Sequence, residues 1–262
     1  MIRKWLALVA LVAWGCSTVD VETAEPREVL RERQYDNLDY GEPTTTDFTT
    51  NRVGYALGFM YAWKQPAWVA YRLTPDEASS RSARRTNKFT TDVGVPGSAT
   101  PSDYFHSGYD RGHFAPAADM AWDVDAMAES FYMSNMSPQR PGFNRGIWCD
   151  LEGHVRRIAS EGDPLFIYAG PVFLMSSHTN SIGKSGVLVP SAFYKVVCNE
   201  NPTNASMVAF LIPNMGTNAP LSEFAMPVDE LERTLDMDFF REMPKERQEE
   251  LEAKLELWKW RL

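Results

Sequence analysis

An α+β fold, with strands supplying most of the core and one amphipathic helix set against them, is predicted by three features of the sequence. Tyr55-Ala56-Leu57-Gly58-Phe59-Met60-Tyr61 alternates large and small residues, and Trp68-Val69-Ala70-Tyr71-Arg72-Leu73 returns after a Lys64-Gln65-Pro66 break, the pattern of a hairpin with a buried face. Three later runs, 165–172, 192–198 and 207–212, are apolar almost throughout, as interior strands are, with 207–212 expected at the centre. Between these two groups Ile147, Leu151, Val155 and Ile158 recur at the 3.6-residue period of a helix with one buried side.

Taken from the N-terminus, Arg3 and Lys4 precede an uncharged apolar run from Trp5 to Trp14 that ends in Gly15-Cys16. Residues 1–16 read as an export signal, because about ten apolar residues are too few to span a bilayer. Cys16 directly after the run resembles a bacterial lipoprotein cleavage site, although Ala13 and Trp14 stand where Leu and a small residue are more usual. Lipid attachment at Cys16, with the membrane contact it brings, and simple cleavage both stay open. The expected location is outside the cytoplasm of a bacterial cell, as a periplasmic or membrane-anchored lipoprotein, otherwise as a secreted protein. Residues 17–48, rich in Asp, Glu, Thr and Pro, form a polar spacer whose last part, from Tyr35, is able to pack on the body.

The main domain is expected over 49–243. After the hairpin, Arg81, Arg84, Arg85 and Lys88 cluster in a segment without an apolar stripe, which reads as a solvated loop. A helix is expected over 117–127. Pro141 and Gly142 mark a turn, and Asn144 is placed to cap a helix running from Arg145 to Ile158. Glu152 and Arg156 lie one turn apart beside its apolar stripe, where the plain reading is a surface ion pair. Strand-like runs continue at 187–190 and the regions already named, and Pro227 opens a helix with Asp229 and Glu230 in its first turn. Residues 244–262 are Glu-rich, with Leu251, Leu255 and Trp258 at helical spacing, and read as a charged, solvent-facing C-terminal helix.

The 262 residues, 44% of them apolar, are enough for a real core. A net charge of −9 argues against a protein that coats nucleic acid non-specifically, yet says little about the field inside one cleft. Cys149 and Cys198 are open to pairing or to remaining free thiols, and no Cys/His spacing suggests zinc.

One stretch stands out chemically. Asp110-Arg111-Gly112-His113 sets an acid, a guanidinium, a glycine and an imidazole in a row between apolar neighbours. An imidazole can accept a proton near neutral pH, and an Arg fork suits phosphate oxygens. A polar turn with a surface ion pair is the plainer reading of that stretch alone.

Together with Ser134-Asn135-Met136-Ser137-Pro138-Gln139 and Asn144-Arg145-Gly146-x-Trp148-x-x-Leu151-Glu152, this motif resembles the DNA/RNA non-specific endonuclease family, which includes secreted bacterial nucleases and mitochondrial endonuclease G. Further segments match in family order: Ala67-Trp68-Val69-Ala70-Tyr71, Gly170-Pro171-Val172, 190–196 and 228–232. The resemblance implies a central antiparallel sheet with flanking helices and a ββα-metal finger, the His on its hairpin and the Asn and Glu on its helix. It implies His113 as general base, Asn144 as the direct ligand of Mg²⁺, and Glu152 as an acid that holds the metal's waters, with Mn²⁺ or another divalent ion able to substitute. It places Arg111 and Arg156 at the scissile phosphate and Asn135 in the active site. Arg85 takes the upstream phosphate contact, with Arg84 the alternative. The substrates implied are DNA and RNA, held through the phosphate backbone with little sequence preference and cut to 5′-phosphate and 3′-hydroxyl ends. Asp110 and Gly112 are expected to shape the strand that aims their neighbours. His106, His154 and His178 fall at no position the motif requires. A catalytically silent nucleic-acid-binding relative and a phosphodiesterase for another ester are the alternative readings.

Overall fold

The computed structural model describes residues 36–173 and 180–262, so the export signal with Cys16, the spacer up to residue 35 and His178 lie outside the described residues. Among the described residues no helix is long and apolar enough to cross a membrane.

The strands are β1 (Phe48–Asn51), β2 (Ala56–Met60), β3 (Gln65–Leu73), β4 (Asp110–His113), β5 (Met136–Gln139), β6 (Leu165–Val172), β7 (Ser181–Ile182), β8 (Val187–Leu188), β9 (Ala192–Asn199), β10 (Ser206–Pro213) and β11 (Ala225–Met226). Seven of them form one sheet in the order β1-β2-β3-β6-β9-β10-β11, antiparallel at every pairing. The hairpin predicted from 55–73 is β2 and β3, with Lys64 in the left-handed region of the turn at φ 61°.

Both faces of this sheet are covered, which is why β6 and β9 read as unbroken apolar runs. On one face Tyr71, Ile167, Phe193 and Val208 pack against Ile147, Trp148, Leu151, Val155 and Ile158 of a long helix. On the other, Trp68, Tyr168, Tyr194 and Val196 meet Val228, Leu231, Phe239, Phe240 and Leu251. Burial on that scale, at about 25 cal/mol per Å², is the dominant favourable contribution to the fold. The run at 207–212 is not central: β10 pairs along its length with β9, but on its other side only Ala209 and Phe210 meet the two-residue β11. Its apolar character comes from the layers above and below it, not from a middle position.

The helices are α1 (Pro75–Ser79), α2 (Val124–Glu129), α3 (Pro141–Asn144), α4 (Ile147–Ser160), α5 (Val228–Leu235) and α6 (Lys245–Glu252). Four expectations need correction here. The helix read over 117–127 is a series of turns followed by α2, because the Asp123 carboxylate accepts from Asp125 N and Ala126 N and starts the helix there. Asn144 does not cap the long helix; it is the last residue of the single turn α3. The chain bends at Gly146, where a Cβ would stand 2.6 Å from Gly142 O, so only glycine allows the two helical pieces to abut. The strand read at 187–190 shrinks to β8, paired with β7 in a separate ribbon. Finally, 244–262 is not one helix: α6 ends at Glu252, and a 3₁₀ turn at Leu257–Trp260 buries Trp260 while Trp258 stays 72% exposed.

The segment before β1 belongs to the packed body. Asn37 is buried and donates to Asn51 Oδ1 and Arg52 O, and Tyr40 meets Phe166 and Phe240 edge-on. Cys149 is an exposed thiol and Cys198 a buried one, so both are free.

Candidate active site

Strands β4 and β5 pair apart from the main sheet, setting Gly112 opposite Ser137 and His113 opposite Met136. Gly112 is required by close approach: a Cβ there would lie 2.0 Å from Gln139 Cδ. Asn135 precedes β5 and is fully buried. Its amide accepts from Ala115 N (3.0 Å) and donates to Ala115 O and Ser130 O (2.9 Å each), while its carbonyl accepts from Phe114 N. It therefore clamps the backbone just after His113 and does not line the cleft, contrary to its expected place among the reacting groups. Two of these bonds use both hydrogens of the amide, which leaves it no donor to spare for a phosphate.

His113 is 9% exposed, set edge-on to Phe131 with ring centres 5.1 Å apart and 5.7 Å from Phe89. Its Nε2 is buried with no hydrogen-bond partner among the described residues. Burial first, then the positive charges of Arg85 and Arg111, push its pKa down to about 3, so the ring is neutral at physiological pH. Both arginines rest on the same aromatic pair: Arg111 lies 4.1 Å from the Phe89 ring centre and Arg85 5.1 Å from that of Phe131. Arg85 lines the cleft, whereas Arg84, the alternative, is exposed and is not among the lining residues.

The helical arm of the finger is tied to its strand arm by Asp110. That carboxylate accepts from Asn144 Nδ2 (3.0 Å) and from both Nε and Nη2 of Arg145 (2.8 and 2.7 Å). Burial works to raise its pKa, but the bonds from Arg145 and Asn144 hold it below the usual carboxylate range. With its amide nitrogen fixed, Asn144 has Oδ1 left over, and no described residue hydrogen-bonds to that oxygen.

One turn into α4, Glu152 also makes no hydrogen bond to a described residue. Burial raises its pKa to about 7, against the pull of Lys195, Arg156 and Arg85. Lys195 on β9 is itself fully buried, its Nζ without a hydrogen bond and 4.9 Å from the Trp148 ring centre. The surface pair read from Glu152 and Arg156 is not formed. Arg156 Nε instead donates to Asp119 Oδ1 at 2.5 Å, and Asp119 Oδ2 accepts from Tyr71 OH at 2.9 Å.

His113, Arg111, Arg85, Asn144, Glu152 and Arg156 thus line a single cleft of about 430 Å³, with Arg145 and Cys149 at its border. Six residues from four separate stretches converge, and all six were expected there. Asp119, Lys195 and the aromatic pair Phe89 and Phe131 were not assigned a role from sequence; only Asp119, six residues beyond His113, carried a signal, as an acid within an otherwise apolar segment. His106 and His154 do not line the cleft; His154 Nε2 lies 2.6 Å from Trp260 O.

Comparison with known proteins agrees with this geometry. The family profile described as DNA/RNA non-specific endonuclease matches residues 34–246. The mitochondrial nuclease EXOG of Xenopus laevis is 32% identical over 226 residues, covering 80% of this chain and 63% of that protein. A nuclease of the bacterium Nostoc sp. is 33% identical over 274 residues, covering 95% of this chain and 96% of its own length. Among solved structures, the complex of EndoG with EndoGI, described as revealing the mechanism of EndoG inhibition, superposes with a TM-score of 0.74 at 30% identity, covering 85% of this chain and 95% of that one. With the ββα finger, the antiparallel sheet and the profile match all in agreement, the chain belongs to the DNA/RNA non-specific endonuclease family.

Proposed function

We propose that this protein is a metal-dependent endonuclease that hydrolyses phosphodiester bonds of DNA and RNA with little sequence preference, leaving 5′-phosphate and 3′-hydroxyl ends. The observation that carries this reading is the neutral His113 in one cleft with three arginines and two unbonded oxygen ligands, Asn144 Oδ1 and Glu152. The donor set fits a hard divalent cation: Asn144 Oδ1 and the Glu152 carboxylate are oxygens left without a hydrogen bond, and one amide carbonyl with one nearby carboxylate suits an ion that keeps most of its waters. Asn144 would bind it directly and Glu152 through water. Bound there, Mg²⁺, or Mn²⁺ in its stead, would supply Lewis-acid stabilisation of the departing 3′-oxygen.

The remaining chemistry falls to side chains. His113, uncharged and aimed by the Asn135 clamp, takes a proton from the attacking water. Arg111, Arg85 and Arg156 offset charge that grows on the phosphoryl oxygens, and their support by Phe89, Phe131 and Asp119 keeps them oriented before substrate arrives. Asp110 holds Asn144 in place by bridging the finger's two arms. Backbone contacts of this kind carry no base information, in keeping with non-specific cleavage.

Incubating supercoiled plasmid, linear DNA and RNA with and without Mg²⁺ tests the proposal. Metal-dependent loss of all three supports it. DNA binding without cleavage favours a silent relative, and turnover of simple phosphate diesters with nucleic acid left intact favours the other phosphodiesterase reading. Export belongs to the same proposal: the basic start, the apolar run and Cys16 support a lipoprotein or a cleaved exported form. Labelling of the wild-type protein, but not of Cys16→Ser, by a radioactive fatty acid in a bacterial host would distinguish the two.

A further inference from the structure

Beside the catalytic cleft lies a second basin of about 370 Å³, lined by Ser79, Arg81, Gly153, Arg156, Arg157 and Ser160. The two basins adjoin, since Gly153 and Arg156 line both. Neither Arg81 nor Arg157 is neutralised. Arg81 Nη1 donates to the carbonyls of Ala78 and Ser80, Arg157 Nη2 lies 2.7 Å from His154 Nδ1, and neither forms an ion pair with a carboxylate among the described residues. The exposed Arg145 and Arg261, by contrast, both face acids. Arg81 is held in place by its carbonyl contacts on one nitrogen while its other donors stay available. Two oriented guanidiniums beside the Ser79 hydroxyl, with no acid in the lining, are the chemistry of a phosphate receptor; the Ser160 hydroxyl already donates to Arg157 O.

Gly153 gives this arrangement a second, independent feature. It sits in the middle of α4, where glycine is disfavoured relative to alanine, and a Cβ built on it would meet nothing within 4 Å. Packing therefore does not call for glycine here. What the missing side chain does provide is a bare strip of helix surface at the point where the two basins join, low enough for another backbone to cross closely.

We propose that the second basin is a phosphate subsite, in which Arg81 and Arg157 hold a backbone phosphate other than the one being cleaved, and that the nucleic-acid strand reaches it by crossing α4 at Gly153. The inference rests on the nuclease reading of the adjoining cleft, and it extends that reading from a single phosphate to a directed track.

The test uses the full chain with Arg81→Ala/Arg157→Ala and, separately, Gly153→Glu, each checked for an unchanged circular dichroism spectrum. Binding of a short fluorescein-labelled single-stranded DNA is followed by anisotropy in EDTA over a range of salt. For the double variant the expected result is a Kd about tenfold higher near 0.1 M salt, with the slope of log Kd against log salt reduced by about 2, one for each cation removed. In Mg²⁺, KM for longer DNA rises in step while kcat moves less than about twofold, since neither residue touches the reacting atoms. Gly153→Glu removes no cation yet sets a carboxylate on the crossing, and a comparable rise in Kd is expected. Wild-type Kd and salt slope in the double variant would overturn the subsite, as would a fall in kcat at constant KM. Wild-type binding by Gly153→Glu would overturn the path. Because the anisotropy arm needs no cleavage, wild-type protein that binds DNA but cuts nothing defeats the nuclease reading while leaving the subsite standing on its own result.

Discussion

The sharpest consequence of the site geometry concerns the protonation of His113 and is measurable as stability. The ring is enclosed by Phe89 and Phe131 and faces Arg85 and Arg111, which together push its pKa down to about 3. In the unfolded chain an imidazole titrates near 6.5. Above that value neither state binds the proton and the residue contributes no pH dependence. Below it the unfolded chain takes up a proton that the folded protein refuses, so stability falls as pH drops, by about 1.4 kcal/mol per pH unit until about pH 3. Between pH 8 and pH 5 the loss through this one residue is therefore about 2 kcal/mol. His113→Asn keeps a polar group of similar size but has nothing to titrate. Urea unfolding of both proteins, in EDTA and followed by tryptophan fluorescence at pH 8 and pH 5, isolates the effect. We expect the variant to gain about 2 kcal/mol on wild type in going from pH 8 to pH 5, whatever its offset at pH 8. An equal difference at both pH values would mean that the folded protein protonates His113 as readily as the unfolded chain, and the neutral-base argument would fail. The same variant is expected to lose about 10²- to 10⁴-fold in kcat on plasmid, the usual range for a missing general base.

Three other perturbations address the rest of the site. Removing divalent ions with EDTA should abolish cleavage, and Asn144→Ala should cost about 100-fold or more, with a raised Mg²⁺ requirement; activity that persists in EDTA would refute the metal role. Asp110→Asn frees both Asn144 and Arg145 from their shared partner and is expected to weaken apparent metal affinity about 10- to 100-fold, as loss of a group supporting a ligand commonly does; titration of Mg²⁺ against initial rate measures it. Asn135→Ala removes three buried hydrogen bonds and should destabilise the fold by about 3 kcal/mol, read from the urea midpoint, whereas a reacting group would lose activity with its stability intact.

How much of this was legible in the sequence depended on whether the deciding contacts were local. The β2–β3 hairpin and strands β6 and β9 could be read because their side chains are buried by alternation or on both faces, and that writes itself into composition. The start of α4 could not, since it is set by the approach of Gly142 O to Gly146, a contact that only the folded turn creates. The same division runs through the site. His113, Asn144 and Glu152 could be singled out because the proposed chemistry restricts such positions to a few residue types in a fixed order, and the fold brings all three to one cleft. Partnerships were not. Glu152 and Arg156 share a helix at a spacing that invites a pair, yet the carboxylate bonded to Arg156 comes from Asp119, on another segment. Asn135 was placed near the reaction by its motif and is near it, but its amide is turned to the backbone of Ala115, and no sequence pattern records which way a side chain faces.

The acidic composition also finds its resolution in these partnerships. Among the described residues Glu152 is the one acid that lines the cleft, and three other carboxylates are already engaged: Asp110 by Arg145 and Asn144, Asp119 by Arg156 and Tyr71, Asp92 by Arg52 and Ser134. Arg85 and Arg111 are oriented by aromatic faces instead, which hold a guanidinium without cancelling its charge. The cleft is thus lined by four arginines and one carboxylate although the chain carries −9 overall, and charge acts over a Debye length of about 8–10 Å and not over the whole molecule. Arg85 and Arg111 add to the burial that suppresses protonation of His113, which ties recognition to basicity. Under the proposed function, a phosphate arriving between them offsets part of their charge at the imidazole. His113 then becomes a stronger base at the moment it is needed, while in the free enzyme it stays unprotonated across the physiological range.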